Sequence, residues 1–291
     1  MKYITLAIII LTSAITAMAQ SQTSFLDFDA GYSIHDVNSK ITNGNKKLGG
    51  GLIFYGGFGH TFSKHFGIVV GVKYCTATTS TVLNYCDHIV QVTDNQLLLD
   101  NKVKDLDILY VDTKEKTTES LFVVPIGIMY NQTLGSKLKM EARLCIEPGI
   151  VTSQKYKTES GSINVYNTYI NTFDGFDIAV EDVFDFNDYG SGDAGNFSGN
   201  CDMKKIIFAT GASIGIVLPI SNRLALTIKL YGSYTLSNQK NKDFPHIFDG
   251  QSYVGMVQSS LCSKIHPFST GLSIGVRLSL GKEQQPLTDA K

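Results

Sequence analysis

The sequence lacks an excess of charge, an interdomain linker and, beyond its first residues, any long hydrophobic run. Among its 291 residues, 25 Lys and Arg balance 26 Asp and Glu, with no basic block. This balance excludes the electrostatic footprint expected of a nucleic-acid binder. No stretch rich in Pro, Gly and Ser divides the chain, so the sequence indicates a single domain. No segment after the N-terminal residues approaches the length of a spanning helix.

The N-terminal residues carry the one long apolar run. Lys2 precedes it, it extends from Tyr3 to Ile15, and small residues follow at Ala17 and Ala19. This pattern predicts a secretory signal peptide over residues 1–19, cleaved near Ala19. The next residue is Gln20 rather than Cys, so no lipoprotein anchor is predicted. The alternative, an uncleaved membrane anchor, requires about 20 apolar residues.

Beyond the signal peptide, apolar-rich segments of about ten residues alternate with polar connections. We predict eight strands, over residues 25–34, 51–60, 67–76, 121–130, 138–147, 205–218, 224–234 and 268–280. The connections alternate between short ones, at 61–66, 131–137 and 219–223, and long ones, at 35–50, 75–120, 148–204 and 235–267.

The alternation of short and long connections favours one architecture. Soluble domains rarely carry structureless loops longer than about 15 residues, whereas membrane barrels have short periplasmic turns and long extracellular loops. The sequence therefore predicts a closed antiparallel transmembrane β-barrel over residues 20–280, with periplasmic termini and a periplasmic tail at 281–291. A soluble sandwich with one face in water is the alternative. A count of eight strands rather than ten is also left open.

Within the strands, apolar and polar residues alternate with period two, which assigns them to opposite faces. In the fifth strand, for example, Leu144 and Ile146 alternate with Arg143 and Glu147. The register predicts a charged lumen network of nine residues: Asp27, Asp29, Lys73, Lys139, Glu141, Arg143, Glu147, Lys229 and Arg277.

An eight-stranded barrel is just wide enough to be filled by side chains, and charges buried there must pair. Because the nine residues have mixed signs, we predict a salt-bridge plug. A narrow ion path lined by the same groups, as in a small porin, is the alternative.

Three segments resemble a known family. They are YGGFGHTFSKHFGIVVGVKY at 55–74, LFVVPIGIMY at 121–130 and GLSIGVRLSL at 271–280. In these segments the chain is similar to small eight-stranded outer-membrane β-barrel domain proteins of the porin-family type. The resemblance implies an outer-membrane location in a Gram-negative bacterium and says little about activity.

Other reactive residues suggest no cofactor or metal. Five cysteines follow the signal peptide, and Cys145 is the one expected to lie in the lumen. Loop disulfides among the other four remain an open question, with connectivity undefined: Cys75, Cys86, Cys201 and Cys262. No CxxC pair occurs. The acidic segment 174–193 matches no calcium-loop spacing, so we interpret it as a solvated loop, with cation binding as the alternative.

The sequence predicts no enzymatic activity. His60 and Ser63, like His266 and Ser269, are three apart, which places them on opposite faces of a strand. An enzyme acting on lipid or peptide would instead need His88 or His246 at the barrel rim. The function expected is a structural or surface-interaction barrel. Its expected partners are outer-membrane lipid and surface or envelope proteins, not nucleic acid.

Overall fold

The computed structural model describes residues 24–36, 41–93, 102–135, 138–173, 176–183, 192–193, 197–241, 244–249 and 252–280. The predicted signal peptide and C-terminal tail lie outside these ranges. The strands are β1 (Ser24–Asp36), β2 (Gly44–Thr61), β3 (Phe66–Thr93), β4 (Lys102–Val123), β5 (Ile126–Leu134), β6 (Leu138–Phe173), β7 (Phe176–Val183), β8 (Gly192–Asp193), β9 (Ser198–Asn200), β10 (Ile206–Pro219), β11 (Leu224–Thr235), β12 (Phe248–Asp249), β13 (Ser252–Tyr253) and β14 (Phe268–Ser279).

Eight barrel strands form a closed antiparallel ring. Its order is β1, β2, β3, then β4 together with β5, then β6, β10, β11 and β14. Pairing of β14 with β1 closes the ring. The prediction of a closed antiparallel barrel of eight strands is confirmed. In the described residues no helix is long or apolar enough to cross a membrane.

The fourth barrel strand is divided, and the prediction of one unbroken strand over residues 121–130 is wrong in this detail. Proline has no N–H for the ladder, and the strand breaks at Val124 and Pro125 into β4 and β5. The sheet stays continuous because Val124 N donates to Pro148 O at 2.8 Å and Gly71 N donates to Pro125 O at 3.0 Å.

The outside of the ring is apolar. On β14 the side chains of Leu272 and Ile274 are about half exposed, whereas Ser273 and Arg277 between and beyond them are buried. The same outward face carries exposed large apolar residues on the other barrel strands, among them Phe28, Phe54, Ile68, Ile128, Ile146, Ile214 and Leu230. We refer to this band as the apolar belt. A closed barrel with an apolar exterior and a charged interior is a transmembrane barrel and not a sandwich.

The two ends of the barrel differ. At one end, here the turn end, neighbouring strands are joined by tight connections at residues 62–65 and 220–223, and only three residues separate β5 from β6. At the other end β3, β4 and β6 continue beyond the belt, where outward apolar residues give way to polar ones. The change occurs from Tyr74 to Thr76 on β3, from Phe122 to Ser120 on β4 and from Ile150 to Thr152 on β6. We call the continuing parts, residues 76–93, 102–120 and 152–173, the extension.

The extension corrects the prediction that residues 75–120 and 148–204 are long loops. They are largely strand, with β3 paired to β4 as far as Thr93 and Lys102. Their Thr-, Lys- and Glu-rich sequence lacks the apolar outer face that a lipid-facing strand shows. Threonine is nevertheless a β-branched residue that favours strands, and it recurs through both β3 and β4.

Between β11 and β14, within residues 236–267, the described parts of the chain fold against the inner side of the extension, and we call this segment the cap. Its side chains Ile247 and Met256 are fully buried against Leu83, Tyr110 and Ile163 of the extension. Stacking of Phe197 on Tyr253 extends this apolar cluster, with ring centroids 5.1 Å apart. A second cluster joins Met203 to cap residues Val257, Cys262 and Ile265. The extension end therefore has an apolar core of its own.

Candidate functional site: the charged lumen and the cap

Asp27 lies at the centre of an ion cluster inside the barrel. Its carboxylate is almost fully buried and accepts hydrogen bonds from Arg277, at 2.7 Å from Nε and 2.9 Å from Nη2. It also accepts from Arg143 Nη2 and, at 3.0 Å, from Lys229 Nζ. These four residues belong to β1, β14, β6 and β11. The cluster therefore connects strands on different sides of the ring.

Two further acids complete this cluster. Glu141 accepts from Arg143 Nε and from Arg277 Nη2, each at 2.6 Å. Asp29 accepts from Lys229 Nζ and from Thr227 Oγ1, each at 2.7 Å. Each of the three buried cations in the cluster is thus bound by two carboxylates, as the interior of a protein requires.

Aromatic rings flank the cations. The Arg277 guanidinium lies 3.7 Å from the ring centroid of Phe25. Arg143 and Lys229 both lie over the ring of Tyr55, at 5.8 and 5.7 Å. Such cation–π contacts add to the ion pairs where water is excluded.

A separate ion pair lies nearer the extension end. Lys73 Nζ is 2.6 Å from Glu147 Oε1, and Ser233 Oγ donates to Glu147 Oε2 at 2.7 Å. Eight of the nine residues predicted from the sequence are therefore buried and ion-paired inside the barrel, four acids with four bases. The ninth, Lys139, is half-buried and closer to the turn end of β6.

Small residues on the inner wall make room for these long side chains. An added Cβ at Gly211 would lie 2.4 Å from Glu147 Oε1, and one at Gly275 would lie 2.2 Å from Asp29 Oδ1. The space that remains is slight. A cavity of about 80 Å³ adjoins Tyr55 and Lys73, and another of about 40 Å³ adjoins His35. Since one water needs about 10–15 Å³ of such space, these cavities have room for a few waters each.

The cap is fixed to the extension by a buried carboxylate. Glu115 of β4 accepts from Tyr253 Oη at 2.7 Å and from Met256 N at 3.0 Å. Burial raises the pKa of Glu115 to about 7, although these hydrogen bonds oppose the shift. Tyr253 has a pKa well above its usual value because it is buried beside this carboxylate.

A second carboxylate contacts the cap, and a lysine of the cap makes polar contacts within it. Glu119 accepts from Gln239 Nε2 at 3.1 Å, and burial raises the pKa of Glu119 to about 7. Lys240 Nζ donates to the carbonyl oxygens of Ser259 and Cys262, at 2.6 and 2.7 Å. None of these groups is among the site residues predicted from the sequence. The signal was present, since Thr113, Glu115, Thr117 and Glu119 alternate with period two and all point inward.

The two histidines named for an enzymatic alternative each approach a carboxylate. His88 Nδ1 lies 2.5 Å from Asp107 Oδ1, and His246 Nδ1 lies 2.9 Å from Asp87 Oδ1. Within the described part of the chain, His246 has no serine as a hydrogen-bond partner. Nor do the described residues include a group of three or more His, Cys, Asp or Glu placed to hold a metal ion.

All five cysteines are thiols in the structure. Cys75 belongs to a barrel strand rather than a loop, and Cys145 lies buried in the lumen wall. Cys201 packs beside the cluster that contains Cys262. The side chains of the acidic segment 174–193 lie outside the described residues.

No protein-family model and no curated protein sequence matches the chain. Among solved structures it is similar to neisserial surface protein A, with 10% identity over 88% of this chain and 96% of that one and a TM-score of 0.38. It is also similar to Ail, the attachment invasion locus protein of Yersinia pestis, with 11% identity, coverage of 88% and 99%, and a TM-score of 0.30. For the outer membrane protein OprG from Pseudomonas aeruginosa the identity is 10%, the coverage 88% and 95%, and the TM-score 0.36. The closed antiparallel ring and apolar belt give this chain the fold of a small outer-membrane β-barrel.

Proposed function

We propose that the protein is a closed outer-membrane barrel that anchors the extension and cap at the cell surface and conducts no solute. The observation that carries this proposal is the lumen network of four buried acids and four buried bases. A channel has to leave its lining charges hydrated, whereas these charges are satisfied by one another. Breaking a buried pair costs about 3–5 kcal/mol, so the network stays closed.

The cap supports the same proposal from the other end of the lumen. It buries apolar side chains against the extension and places Glu115, Tyr253 and Lys240 in buried hydrogen bonds. A solute would have to pass both this layer and the ion cluster. We expect the turn end to be periplasmic and the extension and cap to be extracellular.

The main competing function is a narrow diffusion channel lined by the same groups. Recordings in planar bilayers separate the two. We expect the native protein to give no current above that of the bare bilayer. The double variant Asp27→Ser/Arg277→Ser should leak, because it removes the centre of the network. The matched control Asp36→Ser/Lys46→Ser removes an ion pair that lies in part in solvent and should not leak. Large sustained currents from the native protein would establish the channel instead.

The location is tested by cell fractionation and by gel mobility with and without boiling. An outer-membrane barrel should sediment with outer membranes and migrate differently when it is not boiled. A membrane-impermeant amine-reactive reagent added to intact cells should label the extension, where Lys155 and Lys157 are exposed, and should not label the exposed Lys64 at the turn end. A protein found in the periplasmic fraction would contradict the proposal.

The proposed function requires no catalysis. Turnover of lipid or peptide substrates by purified protein, lost on changing His246→Ala or His88→Ala, would establish an enzyme instead. We expect no turnover in either the native protein or these variants.

A further inference from the structure

A small cavity lies where the cap meets the extension. It has about 10 Å³ of space, which is room for one water-sized group. Glu119 of β4 and Gln154 of β6 are directly paired and line it, together with Gln239 of the cap. Thr79 and Thr117, which are paired on β3 and β4, line it as well. The cavity therefore lies between the cap and three strands of the extension.

Two amide oxygens beside this cavity have no hydrogen-bond partner in the described part of the chain, namely Gln154 Oε1 and Gln239 Oε1. Gln154 is 9% exposed and Gln239 is 1% exposed. Gln239 Nε2 donates to Glu119 Oε1 at 3.1 Å, which orients the amide and leaves its oxygen without a donor. Because buried polar atoms in native proteins nearly always have a partner, two such acceptors beside one cavity indicate a bound group.

The carboxylate at the cavity carries a buried charge without a counter-charge. Glu119 is 5% exposed, and the hydrogen bond that it accepts comes from a neutral amide. Among the residues that the structure describes, no Lys, Arg or His lies within ion-pairing distance of Glu119, although the His35 ring also lines the cavity. A water molecule would bond the amide oxygens but would leave this charge unbalanced. Buried charges are paired or bind metal ions, so a cation fits the cavity better than water.

The lining atoms indicate which kind of cation fits. The groups without a sufficient partner are a carboxylate and two amide oxygens, and oxygen atoms are the ligands of hard cations. One carboxylate balances a single positive charge, whereas calcium sites bind more tightly as the number of charged ligands rises. Carbonyl oxygens can replace the hydration shell of an alkali-metal ion. The ligand set therefore matches Na⁺ or K⁺ rather than a divalent ion.

We propose that the cavity binds one alkali-metal cation, Na⁺ or K⁺, through Glu119, Gln154 and Gln239. Two of these residues belong to β4 and β6 and the third to the cap, so the ion fastens the cap to the extension. The site goes beyond the proposed function, because it depends neither on whether the lumen conducts nor on which side of the membrane the cap lies. An ion that binds only the closed cap stabilises that state by mass action.

The test is hydrogen–deuterium exchange of the full protein in detergent, measured on the peptide that contains Gln239, whose N–H donates to Ile265 O at 3.1 Å. Samples contain NaCl, KCl or N-methylglucamine chloride at equal ionic strength, since the N-methylglucamine cation is too large for a cavity that holds one water. The buffer is at about pH 8, above the pKa of about 7 for Glu119, so that the carboxylate is ionised.

We expect exchange to be about tenfold slower in about 100 mM NaCl or KCl than in N-methylglucamine chloride. This is the effect that mass action gives for a dissociation constant of about 10 mM. The salt that slows exchange more identifies the ion. Exchange at the same rate in the three salts would show that the cavity holds only water, and it would overturn the proposal.

Two variants and a matched control separate the site from general effects of salt. Glu119→Gln removes the charge, and Gln154→Met removes an unpartnered oxygen but keeps the length of the side chain and the carboxylate. Each should reduce the tenfold slowing to less than about twofold. The control Glu115→Gln removes a buried carboxylate of the same strand that contacts the cap but does not line the cavity, and it should retain the slowing.

Gln154→Met also tests the unpartnered oxygen directly. In N-methylglucamine chloride this variant should exchange no faster than the native protein, because it replaces a polar group that lacks a partner by an apolar one. Faster exchange there would contradict the proposal, as would slowing by Na⁺ or K⁺ that persists in Gln154→Met or is lost equally in Glu115→Gln. None of these outcomes affects the bilayer recordings, so the two proposals fail separately.

Discussion

Arg277 on the last barrel strand binds both carboxylate oxygens of Asp27 on the first, with N–O distances of 2.7 and 2.9 Å. The two residues are also direct partners in the pairing of β1 with β14. At the junction that closes the barrel, the same two residues are therefore joined both by strand pairing and by a side-chain ion pair. Asp27 also accepts from Arg143 and Lys229, so three cations depend on one carboxylate.

Replacing Asp27 by Asn should therefore be strongly destabilising. The amide keeps the shape of the side chain but leaves three buried cations short of one negative charge. We expect a loss of about 3–5 kcal/mol in the free energy of unfolding, measured by urea titration in lipid vesicles. Asp36→Asn on the same strand is the control. Its partner Lys46 lies in part in solvent, so the loss should stay under about 1 kcal/mol. Similar losses in the two variants would contradict a central role for Asp27.

Gly211→Ala should disturb the pair of Lys73 and Glu147. The added methyl group would lie 2.4 Å from Glu147 Oε1, which forces that carboxylate away from Lys73. We expect a loss of about 1–3 kcal/mol. The control is Gly232→Ala, where the nearest atom, Ser269 O, is 3.8 Å from the added carbon, and it should be nearly neutral. A double-mutant cycle with Lys73→Met gives a second readout, because Lys73→Met should cost less once Glu147 has moved.

Phe25→Leu should lower the stability of the ion cluster by removing an aromatic ring that contacts one of its cations. The Arg277 guanidinium lies over the Phe25 ring at 3.7 Å, and leucine retains apolar contact but has no ring. We expect a loss of about 1–2 kcal/mol in the same urea titration. Phe28→Leu serves as the control, because Phe28 faces outward and is about half exposed. Equal effects would assign the loss to reduced side-chain size.

The cap should be held less tightly as pH rises. Folding raises the pKa of Glu115 and of Glu119 to about 7, from an ordinary value of 4.5. The folded state thus binds more protons than the unfolded state between these values. The contribution of these groups to stability is complete below pH 4.5 and is lost as pH rises through about 7.

Thiol labelling measures this effect. Cys262 is buried in the cap, so its reaction with a maleimide reports opening, in a background with the other four cysteines changed to Ser. Because the thiol itself reacts faster at high pH, the rate is divided by that of the variant Glu115→Gln/Glu119→Gln at each pH. We expect this ratio to rise between pH 5 and about 8. A flat ratio would show that the two carboxyl groups do not control the cap.

The ring and the lumen network could be predicted because each depends on local alternation. Within β14 the period of two is unbroken, so Arg277 is assigned correctly to the inside from its neighbours alone. On β6 the alternation reverses near Thr152, where the pairing with β4 shifts between Ser120 and Leu121. If every second residue after the inward-facing Arg143 were taken to face inward, Lys155 and Lys157 would be placed inside the barrel. A bulge of this kind depends on the partner strand and leaves little local signal.

The extension and the cap could not be derived in the same way. Part of the inner face of the extension is polar in sequence, with Glu115 and Glu119 among threonines. It is buried only because residues 236–267, more than a hundred positions later, pack against it. Periodicity within one segment contains no information about such a distant partner, and so the segment resembles a solvated loop.

The seam between β1 and β14 also determines the order in which the protein can fold. Asp27 and Arg277 are 250 residues apart, and every other cation bound to Asp27 also comes from a distant strand. Contacts this far apart along the chain carry a large entropic cost of closure and form late. The carboxylate of Asp27 therefore lacks its closing partner until the final strand has been delivered, and a chain that stops before β14 is left with two unpaired sheet edges.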